Sequence, residues 1–147
     1  MKISQKTINE ISQKIQSGMI AYINRKNLEV LFIPDDEDYM RTDGQDLWED
    51  TLKTIESWEN PIVIEKMESW EAFRIMEDFI ETLSDHHMQW MLESALKKRR
   101  PFAHFKAIVE TSEYRQIWFD YRDKQDEKYV RENLSVEILL DIEEQSE

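Results

Sequence analysis

The chain has no cysteine, and its 147 residues include only two glycines and three prolines. Without thiols there is no disulfide scaffold, thiolate-held zinc, iron–sulfur cluster or cysteine nucleophile. The two glycines, Gly18 and Gly44, stand 26 positions apart. A phosphate-cradling loop or a dinucleotide fingerprint needs several glycines close together so that backbone can approach phosphate, so both are excluded. Long apolar runs are also missing: nowhere do about 18 apolar residues follow one another, the length a spanning helix requires. Met1 to Asn9 alternates polar and charged residues and has no apolar core of a secretory signal. The expectation is a cytoplasmic protein with no membrane association and no cofactor.

What is present suits a folded domain. Hydrophobic residues make up 40% of the chain, with five Trp, five Tyr, six Phe and seven Met to fill a core. Charge is lopsided, 19 Lys+Arg against 32 Asp+Glu, a formal net charge of −13. Residues 34–60 carry ten acidic and two basic side chains, whereas residues 97–131 carry ten basic and six acidic. The chain is therefore an acidic body with one basic band. An acidic surface repels nucleic-acid backbones and anionic lipid, so binding of either by the whole surface is disfavoured. Solubility accounts for the acidity; so does a face meant for a basic partner.

Periodicity gives the elements. Ile8, Ile11 and Ile15 recur at helical spacing behind Ser4 as a cap, with Gly18 placed for a left-handed ending, so residues 5–17 read as a helix. Met19–Ile23 and Leu28–Ile33 are apolar and β-branched runs around Asn24–Asn27, which predicts a hairpin closed by Pro34. Asp35 to Asp38 is too charged to bury. Trp48, Leu52 and Ile55 mark a helix over 45–58, Asn60-Pro61 breaks it, and Ile62–Ile64 reads as a third strand. Ser69 is the expected cap of a helix through Leu83, Ser84-Asp85 caps the next to Leu96, and Pro101 opens a helix to 110. A longer helix follows from 113 to 131. Residues 135–140 fit a fourth strand or a helical end, and the last residues, from 141 or 143, read as a frayed acidic tail. The order predicts an α+β fold: a small antiparallel sheet of three to four strands packed against a helical C-terminal half of about four helices. With 34–44 as the one candidate boundary and neither flank able to build a core alone, the chain reads as a single domain over 1–147.

Four constellations carry chemistry. Arg74, Glu77, Asp78 and Glu81 lie opposite an apolar arc running from Ala72 to Leu83, with Arg74 spaced for intrahelical ion pairs. This is a solvated face, or the carboxylates of a metal-assisted hydrolase, and no active site is named from it. His86 and His87 are neighbours whose side chains diverge by about 100° on a helix, and His104 lies on another helix, so no metal site is named. Lys97-Lys98-Arg99-Arg100, with Lys106 and Arg122 and the aromatics Phe102 and Phe105, is the one basic contact patch. It reads as helix-end chemistry or as a phosphate or acidic-partner contact. On residues 113–131, Tyr114, Ile117, Trp118 and Tyr121 form one stripe while Phe119 and Val130 point away from it, a second apolar face for burial or for a partner or second copy.

Residues 61–134 resemble uncharacterised protein family 0158, small bacterial proteins with no established activity. The resemblance is carried by three ordered words. These are Met76-Glu77-Asp78-Phe79-Ile80; Ala95-Leu96 followed by Lys98-Arg99-Arg100-Pro101-Phe102-Ala103-His104-Phe105-Lys106; and Tyr114 to Arg122 with Trp118-Phe119 and Tyr121-Arg122. The middle word departs from the family, which commonly has a Gly-Arg-Gly-Ala-Phe type of sequence there. The resemblance implies a bacterial cytosolic protein of similar fold and brings no catalytic residues. Function is expected in one of three classes. The first is a non-enzymatic acidic interaction or regulatory module, the second a nucleic-acid or ribosome-associated protein using the basic patch, and the third, least favoured, a metal-assisted hydrolase.

Overall fold

The first strand of the hairpin is the central strand of the sheet. In a computed structural model that describes residues 3–35 and 45–145, β1 (Met19–Ile23) pairs antiparallel with both β2 (Val30–Pro34) and β3 (Ile62–Ile64), giving the order β2-β1-β3. The register aligns Tyr22 with Leu31 on one side and Val63 on the other. Pro34, which lacks a donor, is tolerated as the last residue of an outer strand. The hairpin loop is longer than expected, because the Leu28 amide donates to the Asn24 carbonyl at 2.7 Å and Leu28 takes a left-handed φ of 62°. Of the residues named from sequence, Asp36 to Asp38, Gly44 and Ser146-Glu147 lie outside the described residues, as does most of the 34–44 boundary.

Six helices accompany the sheet among the described residues: α1 (Gln5–Gln16), α2 (Gln45–Glu56), α3 (Ser69–Thr82), α4 (His86–Leu96), α5 (Pro101–Glu110) and α6 (Arg115–Gln145). The fold is α+β, with a mostly helical C-terminal half. The chain divides into two compact units, residues 1–66 with 127–147 and residues 67–126.

In the first unit the helix start and stop signals act as read. Ser4 Oγ accepts from the Thr7 amide at 3.2 Å, and Gly18 follows α1 at φ +95°. One sheet face presents Ala21, Ile23, Ile62 and Ile64 to Ile8 and Ile11 of α1 and to Val130 and Leu134 of α6. Each of the five isoleucines in this cluster contributes about 1.5–3 kcal/mol by leaving water. α2 packs against β2, and Val63, which points to the other face, stays 46% exposed. Burial, then the nearby Glu65 and Asp35 carboxylates, raises the pKa of Tyr22 on that face. Polar ties fasten α6 to the unit: Arg25 Nη2 donates to Glu137 Oε2 at 2.7 Å, Tyr129 Oη to the Glu65 carbonyl at 2.8 Å, and Arg131 Nη2 to Gln5 Oε1 at 2.8 Å. The candidate fourth strand at 135–140 is instead a continuation of α6, since Val130, Leu134 and Ile138 recur every four residues and so favour a helix.

The second unit is helical. Phe79, Phe105 and Trp118 meet edge to face, with centroids 6.3 Å, 5.1 Å and 4.9 Å apart. Met76, Ile80, Leu83, Leu92 and Val109 complete the cluster around them. Ser69 is the first residue of α3 rather than its cap; Glu68 holds the cap position and its side chain makes no capping bond. The turn into α4 is closed by side chains. The Gln89 amide donates to the carbonyls of Ile80 and Leu83 at 3.0 and 2.8 Å, while Asp85 accepts from the Met88 amide at 3.1 Å and the Tyr114 hydroxyl at 2.9 Å.

Those two bonds, the Met88 amide first and the Tyr114 hydroxyl second, lower the Asp85 pKa below its ordinary 3.8. The same bond to Asp85 raises Tyr114 above 10.0. A carboxyl depressed in the folded state stabilises fully above its unfolded pKa and loses that contribution as pH falls through the folded one. Asp85→Asn is therefore expected to lower the thermal midpoint at neutral pH, with the gap to wild type closing progressively below pH 3.8. Melts across the acid limb check this, and a gap of constant size there would refute it.

Candidate functional site

The basic turn joins two helices of the second unit. On α4, Leu92 and Ala95 are buried, and the opposite side carries His86, His87, Trp90, Glu93 and Lys97, all exposed. At 100° per residue, Trp90 and Lys97 differ by only about 20° in azimuth, so they share one stripe. Trp90 is 64% exposed, and the His87 imidazole lies near-parallel to it, 22° between planes and 6.2 Å between centroids. Sequence reasoning passed over Trp90; the signal lay in its position, about 160° around the helix from Leu92.

Lys97 caps α4, and Lys98, Arg99 and Arg100 follow as exposed residues before Pro101 opens α5. The dipole argument covers only part of this run. Cations are stabilised at a helix C-terminus, which suits Lys97 and Lys98, but they are unfavourable next to the positive N-terminal end of α5, where Arg99 and Arg100 stand. None of the four makes an ion pair among the described residues. From Ser94 to Val109 the chain has no Asp or Glu.

Arg100 occupies a left-handed conformation, φ 54° and ψ 58°. A residue with a Cβ is strained there by roughly 1–2 kcal/mol, and glycine is not. In the word Lys98 to Phe102, this is where a Gly-Arg-Gly-Ala-Phe sequence places its second glycine. Arg100→Gly is therefore expected to raise stability, by up to about 1 kcal/mol after glycine's extra chain entropy is counted. A denaturant midpoint that falls would contradict it.

The other candidates separate. Lys106 is exposed on α5. Arg122 is apart from the basic turn in its contacts: its guanidinium lies 4.9 Å from the Phe119 ring centroid, and Nη2 donates to Asp123 at 3.2 Å. The apolar patch expected at Phe119 and Val130 does not form as an exposed surface. Val130 is 1% exposed within the first unit's core, while Phe119 is half-buried against the second core with the Arg115 and Arg122 guanidinium groups over its ring. Ile117, placed in one stripe with Trp118 and Tyr121, is 54% exposed while Trp118 is 2% exposed.

Arg74, Glu77, Asp78 and Glu81 are all exposed, and no ion pair joins Arg74 to its neighbours among the described residues. Asp78 and Glu81 do act on Tyr121, whose pKa is raised by burial first and by these two carboxylates next. Among the described residues no three His, Asp or Glu side chains come together as metal ligands would. Nor is any described helix long and apolar enough to cross a membrane.

Comparison with known proteins finds a UPF0158 protein of Pseudomonas aeruginosa, 28% identical to this chain over 67 residues, which are 45% of this chain and 44% of that protein. The match thus spans under half the length of that relative. The resemblance to uncharacterised protein family 0158 holds as a distant likeness to a group of unknown function. No family model matches the chain, and no solved structure matches it.

Proposed function

We propose that the chain is a non-enzymatic interaction module that engages an anionic partner through the turn Lys97–Arg100 and the adjoining exposed face of α4. One observation carries this reading: four consecutive exposed cations that lack an ion-pair partner among the described residues adjoin an exposed indole. The net charge of −13 does not oppose it at physiological salt. Exposed charges more than about 8 Å away are largely screened there, so a partner at the turn feels the local cations and little of the acidic remainder. The acidic body then confines binding to this one place.

The test is binding of the full chain to two fluorescent polyanions, polyglutamate and oligouridylate, beside the variant K97Q/K98Q/R99Q/R100Q. Binding of at least one by wild type, and its loss in the variant, supports the reading. Wild type that binds neither at low salt, or a variant that binds equally well, removes it.

A further inference from the structure

We infer that the anionic partner is single-stranded RNA, with Trp90 and His87 as a stacking platform and Lys97, Lys98, Arg99 and Arg100 as its phosphate contacts. This rests on the anionic-partner reading above and narrows it. An acidic protein segment would satisfy the four cations but has no use for an indole held in water beside them. Trp90 is 64% exposed although it sits on a helix whose other large apolar residues turn inward, and His87 lies near-parallel to it at 22°. An exposed indole with an imidazole stacked near-parallel to it on a helix offers an aromatic face of the kind on which unpaired bases stack, whatever their sequence.

Position supports the pairing of the two parts. Trp90 and Lys97 lie on one stripe about 10 Å apart along the helix axis, a distance that flexible lysine and arginine stems shorten further. A base on the indole therefore leaves its neighbouring phosphates within reach of the turn. Duplexes fit less well, because their bases are already stacked and their faces are closed to a side chain. Unpaired bases are instead the usual target where proteins recognise RNA loops and ends.

The experiment is fluorescence anisotropy of a labelled 15-nucleotide oligouridylate with the full chain, repeated at several salt concentrations. Single-strand affinity falls with a logarithmic slope of about −0.7 per phosphate contact, so four contacts predict about a 50-fold loss between 50 and 200 mM salt. K97Q/K98Q/R99Q/R100Q should flatten that slope. Trp90→Ala should weaken binding about 5- to 150-fold at unchanged slope, the range for loss of one stacked base, and Trp90→Phe should recover most of it. Because Trp90 is exposed, thermal melts should show both Trp90 variants folded as wild type. Binding that ignores Trp90→Ala, or that is tighter for duplex RNA of the same length, overturns the inference. Polyglutamate bound and oligouridylate ignored would overturn it too, while leaving the anionic-partner reading in place. If neither polyanion binds, both fall.

Discussion

Trp118→Ala is expected to cost the second unit about 3–5 kcal/mol, the range for truncating a large aromatic side chain in a packed core. Trp118 is 2% exposed and lies edge to face against Phe79 at 5.1 Å and Phe105 at 4.9 Å, both of them fully buried. Two such ring contacts are each worth about 0.5–1.5 kcal/mol beyond the area they bury. The alanine variant loses both contacts and leaves a cavity between rigid rings that collapse poorly onto it. Against a typical domain stability of about 5–15 kcal/mol, the loss brings the chain close to unfolding at ordinary temperature.

Trp118→Phe separates packing from polarity at the same place. The Trp118 indole Nε1 is buried with no hydrogen-bond partner among the described residues. An unsatisfied buried donor costs about 1–3 kcal/mol, and phenylalanine removes that cost while keeping one ring in the cluster. The phenylalanine variant is therefore expected to lose much less than the alanine variant, under about 2 kcal/mol. Urea melts followed by circular dichroism measure both. An alanine variant within about 0.5 kcal/mol of wild type, the size of an ordinary surface substitution, would show that the aromatic cluster is not what holds this unit together.

Much of the fold was legible because its signals are local. Ser4 marks a helix start through its side-chain oxygen, Gly18 and Pro101 mark helix ends through their backbone preferences, and the two-residue period of Met19–Ile23 marks a strand without any knowledge of its neighbours. The parts left open depend on partners far along the chain. Residues 135–140 taken alone fit a strand or a helical end, but with Val130 included they continue a helical stripe, and that stripe has meaning only once β1, β3 and α1 are there to meet it. The two apolar faces of α6 posed the same difficulty. One helix gives Trp118 and Tyr121 to one core and Val130 and Leu134 to another, so a single-core reading could not decide between burial and a partner for Val130. The candidate site was half legible. The run Lys97–Arg100 is plain in the sequence, whereas the exposure of Trp90 depends on which side of α4 the other helices cover, and tryptophan is by default assigned to the core.

Val130→Asp is expected to abolish folding of the first unit. Val130 is 1% exposed within an apolar cluster formed with Ile8, Ile11, Ala21, Ile23, Ile62, Ile64 and Leu134. A charge placed there either stays ionised at great cost in desolvation or takes up a proton and remains an unsatisfied polar group. Either outcome puts the substitution among the exceptional ones, above about 4 kcal/mol. Val130→Ala removes only the two methyl groups, so a loss of about 2–3 kcal/mol from transfer plus cavity is expected, enough to lower a melting midpoint without preventing folding. Glu132→Ala, two positions on and exposed, is the matched control and should stay within about 0.5 kcal/mol. A contact patch at this position would give the reverse order: both Val130 variants would fold as wild type and differ only in self-association or partner binding. Circular dichroism and size-exclusion chromatography of the three variants therefore decide between core and surface, and the burial of Val130 predicts that the stability series moves while the oligomeric state of the folded variants does not.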